Sequence, residues 1–134
     1  MAGTEYAPTV TAIRTGCDLA AVQDVLDGIQ AHGERYLTRV FTPRERADTG
    51  DDPERLAARF AGKEAVVKLL RPTRTDAVPL HDVAIVSDEH GAPRVELSGA
   101  AEAIAVAAGI TSIDVSLSHE RGLALATAVA ISER

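Results

Sequence analysis

The sequence predicts an α+β fold, in which a small antiparallel sheet packs against one long helix within a single domain. Two observations carry this prediction. Stretches of alternating apolar residues form hairpins with turn-rich connections, and the helical stretches are segregated from them. A chain of 134 residues also fits one domain, which commonly has about 100–200 residues. We expect the domain over residues 10–134, after a flexible N-terminal arm over residues 1–9.

The first elements are a strand and two helices. Residues 10–17 alternate and are rich in β-branched side chains, which predicts a strand that ends at Gly16. Residues 19–30 have apolar side chains at helical spacing, and Gly33 ends the helix that they predict. A shorter helix is expected over residues 34–40.

Two helix starts follow. Residues 42–45 have threonine as N-cap, proline at the first helical position and glutamate at the third. Asp52 and Pro53 begin a longer helix, which we expect to reach about residue 70, where an Arg-Pro pair ends it. The apolar stripe expected on this helix is Leu56, Phe60, Val67 and Leu70.

The second half of the chain alternates between hairpins and one helix. Its predicted elements are strands over residues 83–86 and 94–97, an alanine-rich helix over 98–108, and strands over 112–118 and 123–131. Turn residues connect both strand pairs, so each pair is expected to form a hairpin.

Composition excludes several classes of function. The net charge of −6 and the four aromatic residues argue against a nucleic-acid partner. Residues 35–74 nevertheless carry 10 basic and 6 acidic side chains, which favours a small anionic ligand. No apolar run is long enough to span a membrane. With one cysteine, Cys17, no internal disulfide is possible, and we expect a cytoplasmic protein without a signal peptide.

Two carboxylates are candidate ligands of a hard cation. Asp18 follows Gly16 at the expected strand end, a common place for such a ligand, although its residue type also suits a helix N-cap. Glu64 lies four residues before Lys68 on one helix face, so a simple salt bridge is the alternative. Taken singly, the residues favour the cap and the salt bridge.

The motifs in combination resemble a known family. They occur in the order Gly16-Cys17-Asp18-Leu19, Phe41-Thr42-Pro43-Arg44-Glu45, Arg59-Phe60-Ala61-Gly62-Lys63-Glu64-Ala65, Gly91-Ala92-Pro93 and Ser116-Leu117-Ser118-His119-Glu120. This order is similar to the AcpS-type holo-acyl-carrier-protein synthases, the small 4′-phosphopantetheinyl transferases, over about residues 10–131.

The resemblance implies the 4′-phosphopantetheinyl transferase fold and its reaction. Phosphopantetheine would pass from coenzyme A, as co-substrate, to a serine of an apo acyl carrier protein of fatty-acid, polyketide or peptide synthesis, releasing 3′,5′-ADP. By resemblance, Asp18 and Glu64 are the Mg²⁺ ligands, and Glu64 or a metal-bound water accepts the serine proton. His119 matches the family's histidine, for which a positioning or phosphate-contact role is expected.

The resemblance also implies cationic contacts and an oligomer. Arg59, Lys63 and Lys68 occupy the positions where the family contacts the coenzyme A phosphates. The family is trimeric, with active sites at the subunit interfaces, so we expect a homotrimer. That assembly would suit a chain with few aromatic residues to build a core.

The sequence departs from the family pattern at three places. Arg14 stands where the family usually has glycine, Ala21 and Asp24 stand where it often has an acidic residue and an arginine, and residues 71–74 replace a glycine-rich loop. These departures leave a second hypothesis open, a catalytically silent homologue that serves as a coenzyme A-binding or scaffold subunit. The pair Asp18 and Glu64 favours the enzyme.

Overall fold

The strands form two antiparallel sheets. In chain order they are β1 (Thr11–Ala21), β2 (Val83–Ser87), β3 (Pro93–Leu97), β4 (Ile110–Glu120) and β5 (Leu123–Glu133). The larger sheet has the order β1-β5-β4, and β2 and β3 form a separate hairpin. These bounds come from a computed structural model, which describes residues 11–133. The predicted arm over residues 1–9 lies outside the described residues.

Five helices connect and cover the strands. They are α1 (Val22–His32), α2 (Glu34–Val40), α3 (Pro43–Thr49), α4 (Pro53–Leu70) and α5 (Gly99–Ala107), and a 3₁₀ turn lies at Leu80–Asp82. The predicted capping box at Thr42 and Glu45 is present, and the Asp52 side chain accepts from the amide of Arg55. The predicted α+β class, both hairpins and the long helix are confirmed.

The first strand is longer than predicted. All of β1 pairs with β5, from Thr11 opposite Glu133 to Ala21 opposite Leu123, and this ladder carries the strand five residues past Gly16. The N-cap of α1 is Ala21, with no side-chain cap. The alternative interpretation of Asp18 as a helix cap is therefore wrong, because Asp18 lies inside the strand.

The long helix α4 packs across one face of the larger sheet and forms much of the core. Half of its buried apolar side chains are alanines, and these side chains are Leu56, Ala57, Ala58, Ala61, Ala65, Val66, Leu69 and Leu70. The predicted stripe was half wrong, since Phe60 and Val67 are only partly buried at the edge of this face. A Cβ on Gly16 would overlap the carbonyl oxygen of Ala65, so helix and strand are in backbone contact.

The opposite face of the sheet is apolar and exposed. Large side chains point outward along β1 and β5, and they are Ile13, Leu19, Leu123, Leu125, Val129 and Ile131. Ile13 is 70% exposed and Leu19 is 64% exposed. Such a continuous apolar surface is typical of a protein interface. Among the described residues, no helix has the length and apolarity needed to cross a membrane.

Candidate active site

Asp18 and Glu64 meet where β1 crosses the C-terminal half of α4. The Lys68 ammonium donates to Asp18 Oδ1 at 2.9 Å and to the Cys17 carbonyl at 3.0 Å. Burial raises the pKa of Glu64, and the nearby charge of Asp18 raises it further, whereas Lys68 lowers it. The carboxylate of Glu64 is therefore close enough to Asp18 for their charges to interact. Lys68 forms its salt bridge with Asp18 on the strand, and not with Glu64 on its own helix as the salt-bridge alternative required.

This donor set fits a hard divalent cation. Mg²⁺ is usually held by one or two carboxylates, while substrate phosphates and waters complete its octahedron. Asp18 and Glu64 supply two carboxylates, and the charge of Asp18 raises the pKa of Glu64, a repulsion that a bound cation would relieve. In the described part of the chain, no group of three or more His, Cys, Asp or Glu side chains forms a metal cage. The site thus suits a metal shared with a phosphate substrate.

Lys63 is not at the surface. Its ammonium is fully buried and lies 2.6 Å from Glu45 Oε1. It also donates to the carbonyl of Leu80 at 2.9 Å and to that of Val83 at 2.6 Å. All three of its hydrogens have a partner, so the prediction that Lys63 contacts a substrate phosphate is contradicted by this geometry.

Glu45 is the centre of that buried network. Its carboxylate accepts from the amide of Thr42 at 2.8 Å and from the amide of Ile85 at 2.9 Å, in addition to the Lys63 ammonium. The network ties the start of α3, strand β2 and the middle of α4 together. Through this buried network, Lys63 anchors α4, the helix that carries Glu64, to the core of the protein.

Arg59 lies in a cavity of about 600 Å³ between α4, the β2–β3 turn and β4. Its Nη2 donates to Ser87 Oγ at 2.8 Å, and its buried Nε has no partner among the described residues. Burial lowers the pKa of the Arg59 guanidinium. The cavity is also lined by Arg55 and His119, so two cationic side chains and an imidazole face one space that a phosphate group could enter.

His119 does not join Asp18 and Glu64 within one chain. It lies near the end of β4, with Nδ1 3.3 Å from Glu54 Oε2 in the first turn of α4. Glu54 and Glu64 are ten residues apart on this helix, which corresponds to about 15 Å at 1.5 Å per residue. A single chain therefore presents two half-sites: the carboxylate half-site of Asp18, Glu64 and Lys68, and the cationic half-site of Arg55, Arg59 and His119.

Sequence reasoning missed Arg55 of the cationic half-site and two residues that support it, Ser87 and Asp48. Arg55 lies one turn before Arg59, and this i, i+4 spacing could have indicated it. Ser87 and Asp48 carried no such signal. Asp48 Oδ2 accepts from the Ser87 amide at 2.9 Å, and Ser87 in turn holds Arg59, a contact between segments 28 residues apart.

Comparisons with known proteins give consistent matches over most of the chain. A model of the 4′-phosphopantetheinyl transferase superfamily matches residues 14–128. The chain is 40% identical over 129 residues to the holo-[acyl-carrier-protein] synthase of Chloroflexus aggregans, and the match covers 86% of this chain and 92% of that protein. It is 43% identical over 109 residues to the corresponding protein of Roseiflexus castenholzii, covering 78% and 80%.

Solved structures are similar as well. The holo-[acyl-carrier-protein] synthase of Helicobacter pylori in complex with coenzyme A superposes with a TM-score of 0.77 and 26% identity, over 87% of this chain and 98% of that one. The acyl carrier protein synthase of Mycobacterium tuberculosis gives a TM-score of 0.67 and 36% identity, over 89% and 97%.

Proposed function

The chain belongs to the 4′-phosphopantetheinyl transferase superfamily, and from this premise we propose that it is a holo-acyl-carrier-protein synthase. The observation that supports this most is the close pair of carboxylates, Asp18 and Glu64, on two elements that the Lys68 ammonium ties together. Because such a pair costs the free protein energy, its presence is best explained by a ligand that uses both groups.

In the proposed reaction, the hydroxyl of a carrier-protein serine attacks the pyrophosphate of coenzyme A. A bond forms between the serine oxygen and the phosphorus that bears pantetheine, and the bond from that phosphorus to the leaving 3′,5′-ADP oxygen breaks. The serine proton passes to a base, for which Glu64 is proposed because its raised pKa suits a proton acceptor.

Asp18 and Glu64 would hold Mg²⁺, which when bound would polarise the pyrophosphate and offset the charge on the leaving group. Lys68 is proposed to contact a phosphate, since its exposed ammonium lies beside the carboxylates and retains a free hydrogen for a ligand. Arg59 and Arg55 are proposed to bind another phosphate in the cationic cavity, and His119 to contact or position it. This assignment keeps five of the six residues expected from sequence and moves Lys63 to a structural role.

The two half-sites support a homotrimer with active sites between subunits. Within one chain, they lie at opposite ends of α4. The exposed apolar face of β1 and β5 is continuous with the carboxylate half-site, because Thr15, Cys17 and Lys68 line a cavity of about 680 Å³ on that face. A neighbouring subunit that covers this face could bring its own cationic half-site to Asp18 and Glu64.

The direct test is a transfer assay. Purified protein, coenzyme A and Mg²⁺ are incubated with a panel of apo acyl carrier proteins, and mass spectrometry is expected to show a carrier that is heavier by one phosphopantetheine. Asp18→Asn and Glu64→Gln should each reduce transfer by at least about a hundredfold while circular dichroism stays unchanged. If no carrier gains mass while coenzyme A still binds, the chain is a silent coenzyme A-binding homologue instead.

A cytoplasmic location belongs to this proposal too. It is supported by the single cysteine, Cys17, which leaves no possibility of an internal disulfide.

A further inference from the structure

The C-terminal end of α4 has an unusual cap. The last four carbonyls of a helix have no partner within the helix. Here the amide of Arg71 donates to the carbonyls of Val67 and Lys68, and Nη1 of Arg14, from strand β1, donates to those of Leu69 and Leu70 at 3.2 Å each. All four carbonyls therefore have a donor, and two of them depend on one side chain that lies 55 and 56 residues away in sequence.

We propose that Arg14 positions the carboxylate half-site. It does so by holding the C-terminal end of α4 against β1. The inference rests on the proposed function. Glu64 and Lys68 lie in the last two turns of the helix that Arg14 caps, and Asp18 lies four residues after Arg14 on the same face of the strand. Arg14 thus joins the two elements whose separation sets the distance between the carboxylates.

Three successive contacts hold the strand to the helix. Arg14 binds the helix end, Gly16 touches the backbone of Ala65, and Asp18 pairs with Lys68. The contact at Gly16 only limits how closely the strand and the helix can approach each other. The pair of Asp18 and Lys68 consists of groups that the proposed reaction itself would use. Arg14 is the one of the three that both binds the helix and is free of the ligand, so it holds the register whether or not substrate is bound.

The chemistry of arginine suits this position. A cation at the C-terminal end of a helix interacts favourably with the helix dipole. A guanidinium also carries several N–H groups in one plane, so Nη1 can reach two neighbouring carbonyls, Leu69 and Leu70, that are otherwise buried with their side chains. A glycine at this position could supply neither contact.

The test compares Arg14→Met with Arg14→Lys, and uses Arg35→Met as the matched control because Arg35 is exposed on α2 and outside both half-sites. Arg14→Met is expected to lower kcat/KM for transfer by about tenfold to a hundredfold, the effect of a misplacement on the order of 1 Å. Arg14→Lys, which keeps the charge but not the planar guanidinium, should restore part of the loss, and Arg35→Met should behave like the wild type.

Two further readouts separate positioning from general stability. Hydrogen exchange of the amides of residues 67–71 should accelerate in Arg14→Met, while exchange in the core of β5 stays unchanged. The affinity of Arg14→Met for 3′,5′-ADP, measured by calorimetry, should fall below that of the wild type, because the displaced Lys68 no longer contacts a phosphate. The proposal is overturned if Arg14→Met transfers at the wild-type rate, or if its loss of activity accompanies faster exchange throughout the chain. If the wild type itself transfers nothing, the proposed function fails, and hydrogen exchange and 3′,5′-ADP binding still decide the role of Arg14.

Discussion

The ammonium of Lys63 lies 2.6 Å from a carboxylate oxygen of Glu45, and neither side chain is exposed to solvent. Burial lowers the pKa of Lys63, while the charge of Glu45 and the hydrogen bond to it act in the opposite direction. A buried pair of this kind is costly to break, because removal of one partner leaves the other charge uncompensated. The residue next to Glu64 is therefore part of the support of the site.

Replacement of Lys63 should destabilise the fold severely. We expect Lys63→Met to lower the free energy of unfolding by about 3–5 kcal/mol, since Glu45 would remain buried without its partner. Urea unfolding followed by circular dichroism measures this. The double variant Glu45→Gln with Lys63→Met should lose less than the sum of the single variants, and additive losses would show that the two side chains do not act as a pair.

Asp48 predicts a pH dependence. Burial alone would raise the pKa of Asp48, but the Ser87 amide and the Arg44 guanidinium outweigh it, so the pKa lies below its ordinary value. A carboxyl whose pKa is lowered in the folded state stabilises that state at pH values above its unfolded pKa of about 3.9. This stabilisation is lost as the pH falls through the pKa of the carboxyl in the folded state. Asp48→Asn should cost about 1.5 kcal/mol at pH 7.

The cost of Asp48→Asn should shrink steadily below pH 4, where the wild-type carboxyl also becomes neutral. Thermal unfolding of both proteins between pH 7 and pH 3 measures the difference. A difference that stays constant over this range would mean that the charge of Asp48 does not contribute. Because Ser87 also holds Arg59, coenzyme A should bind more weakly to Asp48→Asn.

Gly16 should tolerate no side chain. A Cβ there would overlap the Ala65 carbonyl, so Gly16→Ala must push α4 away from β1. We expect a loss of about 1–3 kcal/mol in unfolding free energy, as for other overpacked cores, together with a large loss of transfer activity. Ser98→Ala, at an exposed position outside both half-sites and the apolar sheet face, is the control. Wild-type activity in Gly16→Ala would show that the separation of strand and helix does not control the site.

The apolar sheet face should control assembly. Val129 lies on this face and is 43% exposed in the single chain. Val129→Glu would place a charge in the proposed interface, so it should yield monomers with little transfer activity, as measured by light scattering coupled to size-exclusion chromatography. Val106→Glu, on α5, should remain trimeric. If Val129→Glu still forms trimers, the subunit interface does not include this sheet face.

Mixed trimers test whether the half-sites belong to different subunits. Asp18→Ala and His119→Ala should each transfer slowly, but co-expression of the two should restore up to about a quarter of the wild-type activity, because random assembly pairs an intact Asp18 with an intact His119 at one site in four. Activity no higher than the mean of the two single variants would mean that one chain supplies both residues.

Much of the fold could be predicted because its signals are local. The capping box at Thr42 and Glu45, the proline start of α4 and the turn at residues 120–122 lie within a few residues of the elements that they delimit. The end of β1 could not be predicted, because Gly16 is a plausible strand end locally and only the ladder with β5 extends the strand to Ala21.

The sequence by itself determined the fold class, because spacing along the chain is a property of the sequence, and it predicted the pair of carboxylates through the family motifs around Asp18 and Glu64. Only the tertiary structure decided what the cations do. Lys63, Lys68 and Arg14 are all basic, yet one is buried against Glu45, one pairs with Asp18 and one caps α4. The partner of a long charged side chain depends on which distant segment folds against it, and no local pattern records that.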